Sequence, residues 1–437
     1  MPLSPHAASV IPFVALLLAV AVLPLLAYDW WHVNRNKALV SAALAIPVAI
    51  YLFVLDPRAG GAALGHALEE YAAFIFLLGA LYTVSGGVVL RSDLLATPMR
   101  NAALLAFGAV LTNVVGTTGA SMLLIRPFLR MNRGRKRMQH LIVFFIFLVS
   151  NLGGLLTPLG DPPLFLGFLQ GVPFFWTMRL WQEWLLTNLI VLAIFLVWDF
   201  WAFRSEAPRT AESLRSGGTA LQVTGWINIG LLGAVLFVVL LQSPSVGPEI
   251  GRWIGAGDLT LQPLTGGLIL CGIGLASLAL TPRGLRQENA FSWGPILEVA
   301  IIFIGLFVTM VPALALLQKH GPAFGLTQPW QYFWLTGLLS SVLDNAPTYL
   351  AFGTIAAGSG TFATLALHEP HLLEAISCGA VFMGANTYIG NGPNFMVKAI
   401  ADEMGMAAPS FFGYAAYAAV ILLPTFGLVT WVFFLPS

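Results

Sequence analysis

One interrupted motif occurs twice in this chain, each time inside an apolar run. The segment Gly154-Leu-Leu-Thr157-Pro-Leu-Gly160-Asp161-Pro-Pro163-Leu-Phe165 aligns with Gly384-Ala-Asn-Thr387-Tyr-Ile-Gly390-Asn391-Gly-Pro393-Asn-Phe395 at an offset of 230 residues. Gly, Thr, Gly, Pro and Phe are identical, and Asp161 stands opposite Asn391. Upstream, Asn113 pairs with Asn345 at offset 232, and Gly79 and Thr83 pair with Gly305 and Thr309 at 226. Acidic residues, Glu70 and Glu298, open both of those earlier helices. Landmarks in one order at nearly one spacing mark an internal duplication. Proline removes a backbone donor and glycine lets the chain leave helical geometry, so each copy contains a helix built to break.

Such breaks sit in a chain that a soluble core could not absorb. Of 437 residues 58% are hydrophobic and only 9% charged, where a soluble domain carries about 25%. A net charge of +1 offers no basic field for DNA or RNA, so no nucleic-acid partner is expected. Apolar runs near 8–27, 38–55, 67–90, 138–172, 185–203, 224–243, 262–281, 294–317, 372–404 and 411–433 are long enough to cross a bilayer. Two further runs, near 101–125 and 331–358, have polar or Gly- and Pro-containing centres and read as re-entrant hairpins. The first run has no Lys or Arg in front of it and contains Pro12 and Pro24, which weighs against a cleaved leader. Cys271 and Cys378 lie in apolar stretches and read as small core residues.

Basic residues set the expected topology. With both hairpins re-entrant, 16 of the 20 Lys and Arg fall on one side, among them the cluster Arg126–Arg137. Letting the hairpins cross lowers that bias to 12 against 8. The expectation is therefore an all-α polytopic membrane protein of two inverted repeats, with about ten transmembrane helices, two re-entrant hairpins and two broken helices. The first repeat covers 1–204, with a hairpin at about 98–126 and a broken helix at about 138–172. A polar cytoplasmic linker follows at 205–222. The second repeat covers 223–437, with a hairpin at about 330–358 and a broken helix at about 372–404. Both termini are expected on the outer side of the cell's inner (plasma) membrane. Inverted repeats with a site at broken helices are the plan of secondary transporters.

The chemistry concentrates at the four breaks. Expected ion- or substrate-binding residues are Thr112, Asn113 and Thr117 on the first tip, and Thr157, Gly160 and Asp161 on the first break. Asp344, Asn345 and Thr348 on the second tip and Thr387, Gly390, Asn391 and Asn394 on the second break complete them. Asn151 and Glu298 form a second rank. Carbonyl, hydroxyl, amide and carboxylate oxygens are a hard donor set suited to Na+, expected at Asn113, Asp161, Asp344 and Asn345. A carboxylate in apolar surroundings is usually functional. Burial favours its neutral form and a cation its charged form, so a proton and Na+ can compete for one site. Half-helix N-termini beside the breaks could equally hold an anionic group. Asp199, near a span end, and Trp176, Trp181 and Trp184 read as interfacial, and the histidines have no metal-ligand spacing. No Walker A loop, nucleophile elbow or zinc helix is present, so neither ATP drive nor an enzyme is expected.

The stretches Ser150–Pro163, Asp344-Asn-Ala-Pro-Thr348 and Tyr388-Ile-Gly-Asn-Gly-Pro-Asn394 resemble the NhaD-type sodium/proton antiporters and the related family of proteins called citrate transporters by analogy. Both belong to the ion transporter superfamily, and the resemblance covers nearly the whole chain. It implies a mobile transport domain moving against a scaffold, often within a homodimer. Carboxylate carriers of that superfamily place Ser-Asn-Thr at both hairpin tips. Here the tips read Thr112-Asn113-Val114 and Asp344-Asn345-Ala346. The expectation is Na+(Li+)/H+ antiport, with Na+- or H+-coupled uptake of citrate or a dicarboxylate as the alternative. Partners are then inorganic cations and protons, or small carboxylates, and the lipid bilayer. No cofactor is expected beyond Na+ and H+ as transported or coupling ions.

Overall fold

The structure, a computed structural model, describes residues 4–91, 96–204, 222–244, 246–255, 257–289 and 291–435. Almost all of it is helix. In chain order the longer elements are α1 (Ile11–Leu26), α2 (Asn34–Leu55), α3 (Pro57–Ser85) and α4 (Pro98–Met131). Then come α5 (Gln139–Leu148), α6 (Pro162–Leu169) and α7 (Trp181–Arg204). The order continues with α8 (Trp226–Leu241), α9 (Pro263–Leu280), α10 (Gly294–His320), α11 (Pro329–Ser340) and α12 (Asn345–Ala357). Last are α13 (Phe362–His368), α14 (Pro370–Met383), α15 (Gly392–Glu403) and α16 (Phe411–Val429). The only β-structure among the described residues is a short antiparallel pair, β1 (Val89–Arg91) with β2 (Gln222–Thr224). The expected linker, apart from Gln222, lies outside the described residues.

Eight helices among the described residues are long and apolar enough to cross a membrane, or nine when the bent pair α12 and α13 counts as one. The expected ten also take in the two broken helices and the shorter α8, and leave out the hairpin α4. The two broken helices are split into short pieces, α5 with α6 and α14 with α15. Helix α8, at 16 residues, falls below the length limit. One of the eight, α4, is not straight.

Gly116 in α4 has φ 78 and ψ 159, a left-handed position that glycine adopts without strain. The chain folds back there. Ala96 N donates to Met131 O at 3.0 Å, and Asn101 and Asn132 exchange amide hydrogen bonds at 3.0 and 2.9 Å. A straight helix would hold its ends about 50 Å apart, so α4 is a hairpin whose ends share one face. It closes near Met131, later than the expected 126. In the second hairpin, α11 and α12 both pack against α14, and the turn before α11 packs against α12.

Burial follows from the breaks. Leu141, Ile142, Val143, Phe144, Phe145, Ile146 and Phe147 are all 0% exposed, and so are most residues of α14. A broken helix leaves carbonyls that lipid cannot satisfy, so it must be wrapped in protein. These segments are accordingly apolar on most sides, and the one buried acid of α14, Glu374, is paired with Arg179 and His371. In contrast α1, α2 and α9 leave much of their surface outward, with Ile11, Leu18, Ile50, Val54 and Leu275 all more than half exposed. Helices α1 and α2 pack on α10, and α8 and α9 on α3, forming a bundle beside the hairpins and breaks.

Candidate functional site

Four half-helices begin at one point. Thr117 opens the second leg of the first hairpin after Gly116, and Asn345 opens α12. Asp161 is the N-cap of α6 and Asn391 the N-cap of α15. The positive ends of four helices therefore converge. Neither Asp161 nor Asn391 spends its side chain on its own helix. Instead the other three residues surround the Asp161 carboxylate. Thr117 Oγ1 donates to Oδ1 at 2.9 Å, Asn391 Nδ2 to Oδ1 at 3.2 Å, and Asn345 Nδ2 to Oδ2. Asp161 is 1% exposed, and among the described residues no Lys or Arg is hydrogen-bonded to it.

The loops around this point are held by their own backbone. Thr117 N donates to Gly160 O at 2.9 Å. Gly160 packs on Gly154, where a Cβ would stand 2.2 Å from Gly154 O, and Gly390 on Gly384, at 2.6 Å from its O. Thr157 Oγ1 donates to Asn113 O and Thr387 Oγ1 to Ser341 O, both at 2.5 Å. These contacts match Asn113 with Ser341 and Thr117 with Asn345. The identity-based pairing of Asn113 with Asn345 is therefore one helical turn off. Amide identity suggested it, whereas the position of each break fixes the true register.

That shift sorts the expected residues. Asn113 does not reach Asp161. Its Nδ2 donates to Gly153 O at 2.8 Å and its Oδ1 accepts from Leu156 N at 2.8 Å, so it clamps the first break. Thr112 bonds within its own helix to Ala109 O, and Thr348 to Asp344 O. Asp344 caps α12, accepting from Ala346 N at 3.1 Å. Asn394 Nδ2 donates to Gly384 O and Thr387 O, tying down the second break. Asn151, of second rank, is central: it donates to Asn394 Oδ1 at 2.7 Å and accepts from Asn391 at 3.2 Å, joining the two breaks. Glu298, by contrast, pairs with Lys37 at 2.9 Å and is 44% exposed, away from the breaks.

A cavity of about 690 Å³ runs from this point to one face. Its inner end holds Gly116, Thr117, Asp161, Asp344 and Asn391. Its mouth holds Lys37 with Glu298 and Arg126 with Glu403, the second pair at 3.8 Å. One wall is α1, α2, α3 and α10; the other is α4, α6 and α15. Between the ends the lining is mainly apolar, including Leu77, Phe165, Ile302 and Phe303. Residues 4–434 match the family model described as putative citrate transport. The chain belongs to that family. No curated protein matches it. Membership in this putative citrate transport family, with the spanning helices, makes the chain a membrane-embedded secondary transporter.

Three residues that read as interfacial have inner roles. Trp184 Nε1 donates to Gly153 O at 2.8 Å, bracing the first break, and Trp176 Nε1 donates to Ala366 O at 3.1 Å. Asp199 is fully buried, with Arg135 at 2.5 Å, His140 at 2.9 Å and Asn101 at 2.9 Å. The signal for Asp199 was present: an acid inside an apolar run needs partners, and Arg135 and His140 lie near the start of α5.

Proposed function

We propose that this transporter exchanges Na+ (or Li+) for H+ by an elevator-type alternating-access movement. One observation carries the reading: the protein's own carboxylate, Asp161, occupies the meeting point of the four half-helix N-termini. Those N-termini, with the Thr117 hydroxyl and the Asn345 and Asn391 amides, are the groups that would otherwise hold a substrate carboxylate. They are already engaged. The Asn345 Oδ1 is buried with no hydrogen-bond partner among the described residues, which leaves an acceptor beside Asp161 for a cation. Asp344 adds a second carboxylate to the same cavity end. The cationic groups Lys37 and Arg126 in the lining each face an acid, so the cavity offers a trianion little net attraction.

In this reading a proton or Na+ neutralises Asp161, which lowers the cost of carrying the assembly across the apolar barrier. Na+ binding would turn the amide oxygens inward and displace the proton, which couples the two fluxes. Chain segments 1–204 and 223–437 would be the two inverted repeats, with the hairpins and broken helices moving against the α1–α3, α8–α10 bundle. The cavity mouth shares its face with the Arg-rich base of the first hairpin, and the positive-inside bias would make this the inward-open state of a plasma-membrane protein. The family description favours the second reading, Na+- or H+-coupled uptake of citrate or a dicarboxylate.

One experiment separates them. In proteoliposomes carrying a preset pH gradient, added Na+ should dissipate the gradient, and labelled citrate should not accumulate. Citrate accumulation without Na+-driven proton movement would replace the first reading by the second.

A further inference from the structure

The basic stretch after the first hairpin is not absorbed by the transport site. Residues 131–150 contain no acid, and Arg133, Lys136 and Arg137 are exposed. Their loop is anchored rather than loose. Asn132 is tied to Asn101, and Arg135 reaches inward to Asp199 on α7, which also holds His140. This buried cluster fixes the loop against the end of α7. The Arg137 guanidinium then lies 4.7 Å from the ring centre of Trp201, on the outward face of the same helix. Directly along that face runs a shallow apolar groove of about 560 Å³, lined by Ala193, Ile194, Val197, Trp198 and Trp201. Trp201 and Val197 are 63% and 73% exposed. From Trp201 to Ala193 the groove follows the helix for about 12 Å into the apolar zone.

A basic cluster at a membrane face, with an apolar groove descending from it, has the charge and depth profile of a phospholipid: headgroup above, acyl chain below. We infer that this surface binds an anionic phospholipid, with Arg133, Lys136 and Arg137 around the phosphate and an acyl chain along Val197 and Trp201. Trp201 serves both parts, stacking under Arg137 and walling the groove. Because the loop continues directly from α4, a lipid seated here would steady the base of the hairpin that carries Thr117.

The test reads binding and does not depend on which ion is transported. The full chain is released from nanodiscs of equal phosphatidylglycerol and phosphatidylcholine and weighed by native mass spectrometry. Wild type should retain phosphatidylglycerol selectively. The triple variant Arg133→Gln, Lys136→Gln, Arg137→Gln, which leaves the Asp199 cluster intact, should bind it roughly tenfold more weakly or worse. Trp201→Leu should weaken it less while keeping the preference for the anionic lipid. Equal retention of both lipids by wild type, unchanged retention by the triple variant, or a second copy of the chain covering this face in place of lipid would each overturn the inference.

Discussion

The two breaks share a frame and differ in charge. Each is closed by a glycine pair, Gly160 on Gly154 and Gly390 on Gly384. A threonine hydroxyl ties each to the facing hairpin, and an aromatic donor braces each from outside. Trp184 reaches Gly153 O, and Tyr414 OH reaches Ala385 O at 2.7 Å. The difference lies at the four helix starts. In the first half the acid is on the break, Asp161, and the hairpin turns on Gly116. In the second half the acid is on the hairpin, Asp344, and the break carries the amide Asn391. A near-symmetric backbone thus brings four positive ends together, and the two acids stand at non-equivalent positions among them.

The strongest way to break this comparison is to remove one charge at a time. Asp161→Asn and Asp344→Asn should each abolish Na+-driven proton movement in proteoliposomes while the protein elutes as folded on gel filtration; full activity in either would leave a single acid carrying the site. Next, placing Asn391→Asp in the Asp161→Asn background should fail to restore exchange. The Asn391 amide also donates to Ser150 O and Asn151 Oδ1 at 3.1 and 3.2 Å, and a carboxylate there would face two acceptors. Recovery of exchange would mean that the two breaks are interchangeable.

The shared frame gives smaller effects. Gly160→Ala and Gly390→Ala should each cost about 3 kcal/mol of stability, since backbone rather than a yielding side chain meets the new Cβ. Gly392→Ala, with open space around it, is the control and should be close to neutral in thermal melts in detergent. Gly116→Ala should cost about 1–3 kcal/mol, because φ 78 with ψ 159 is a region that essentially only glycine occupies. Tyr414→Phe, which removes one brace hydrogen bond, should cost about 1 kcal/mol; a loss above that of the Gly160 and Gly390 variants would mean that the aromatic braces carry the breaks more than the glycines do.

Much of this was legible in the sequence because helix-breaking is local chemistry. Pro158, Gly160, Pro162, Gly390 and Pro393 mark the breaks wherever the chain goes, and Gly116 marks the first turn. Asp161 and Asp344 stand out because acids are costly in apolar runs. Other features depend on which surfaces meet. That Asn113 clamps a loop while Thr117 reaches Asp161 is a matter of one helical turn at the tip. That Asp199 sits in an ion cluster follows from α7 packing on the hairpin base. The difference between Glu298 at the cavity mouth and Asn151 joining the two breaks is likewise one of packing.

The sequence alone determined the solvent, the duplication and the places where helices stop, because hydropathy and backbone freedom are properties of single residues and short windows. Only the tertiary structure decided that the four helix starts meet around one carboxylate. Those starts lie up to some 270 residues apart along the chain, and nothing local records that Thr117, Asn345 and Asn391 all aim their donors at Asp161.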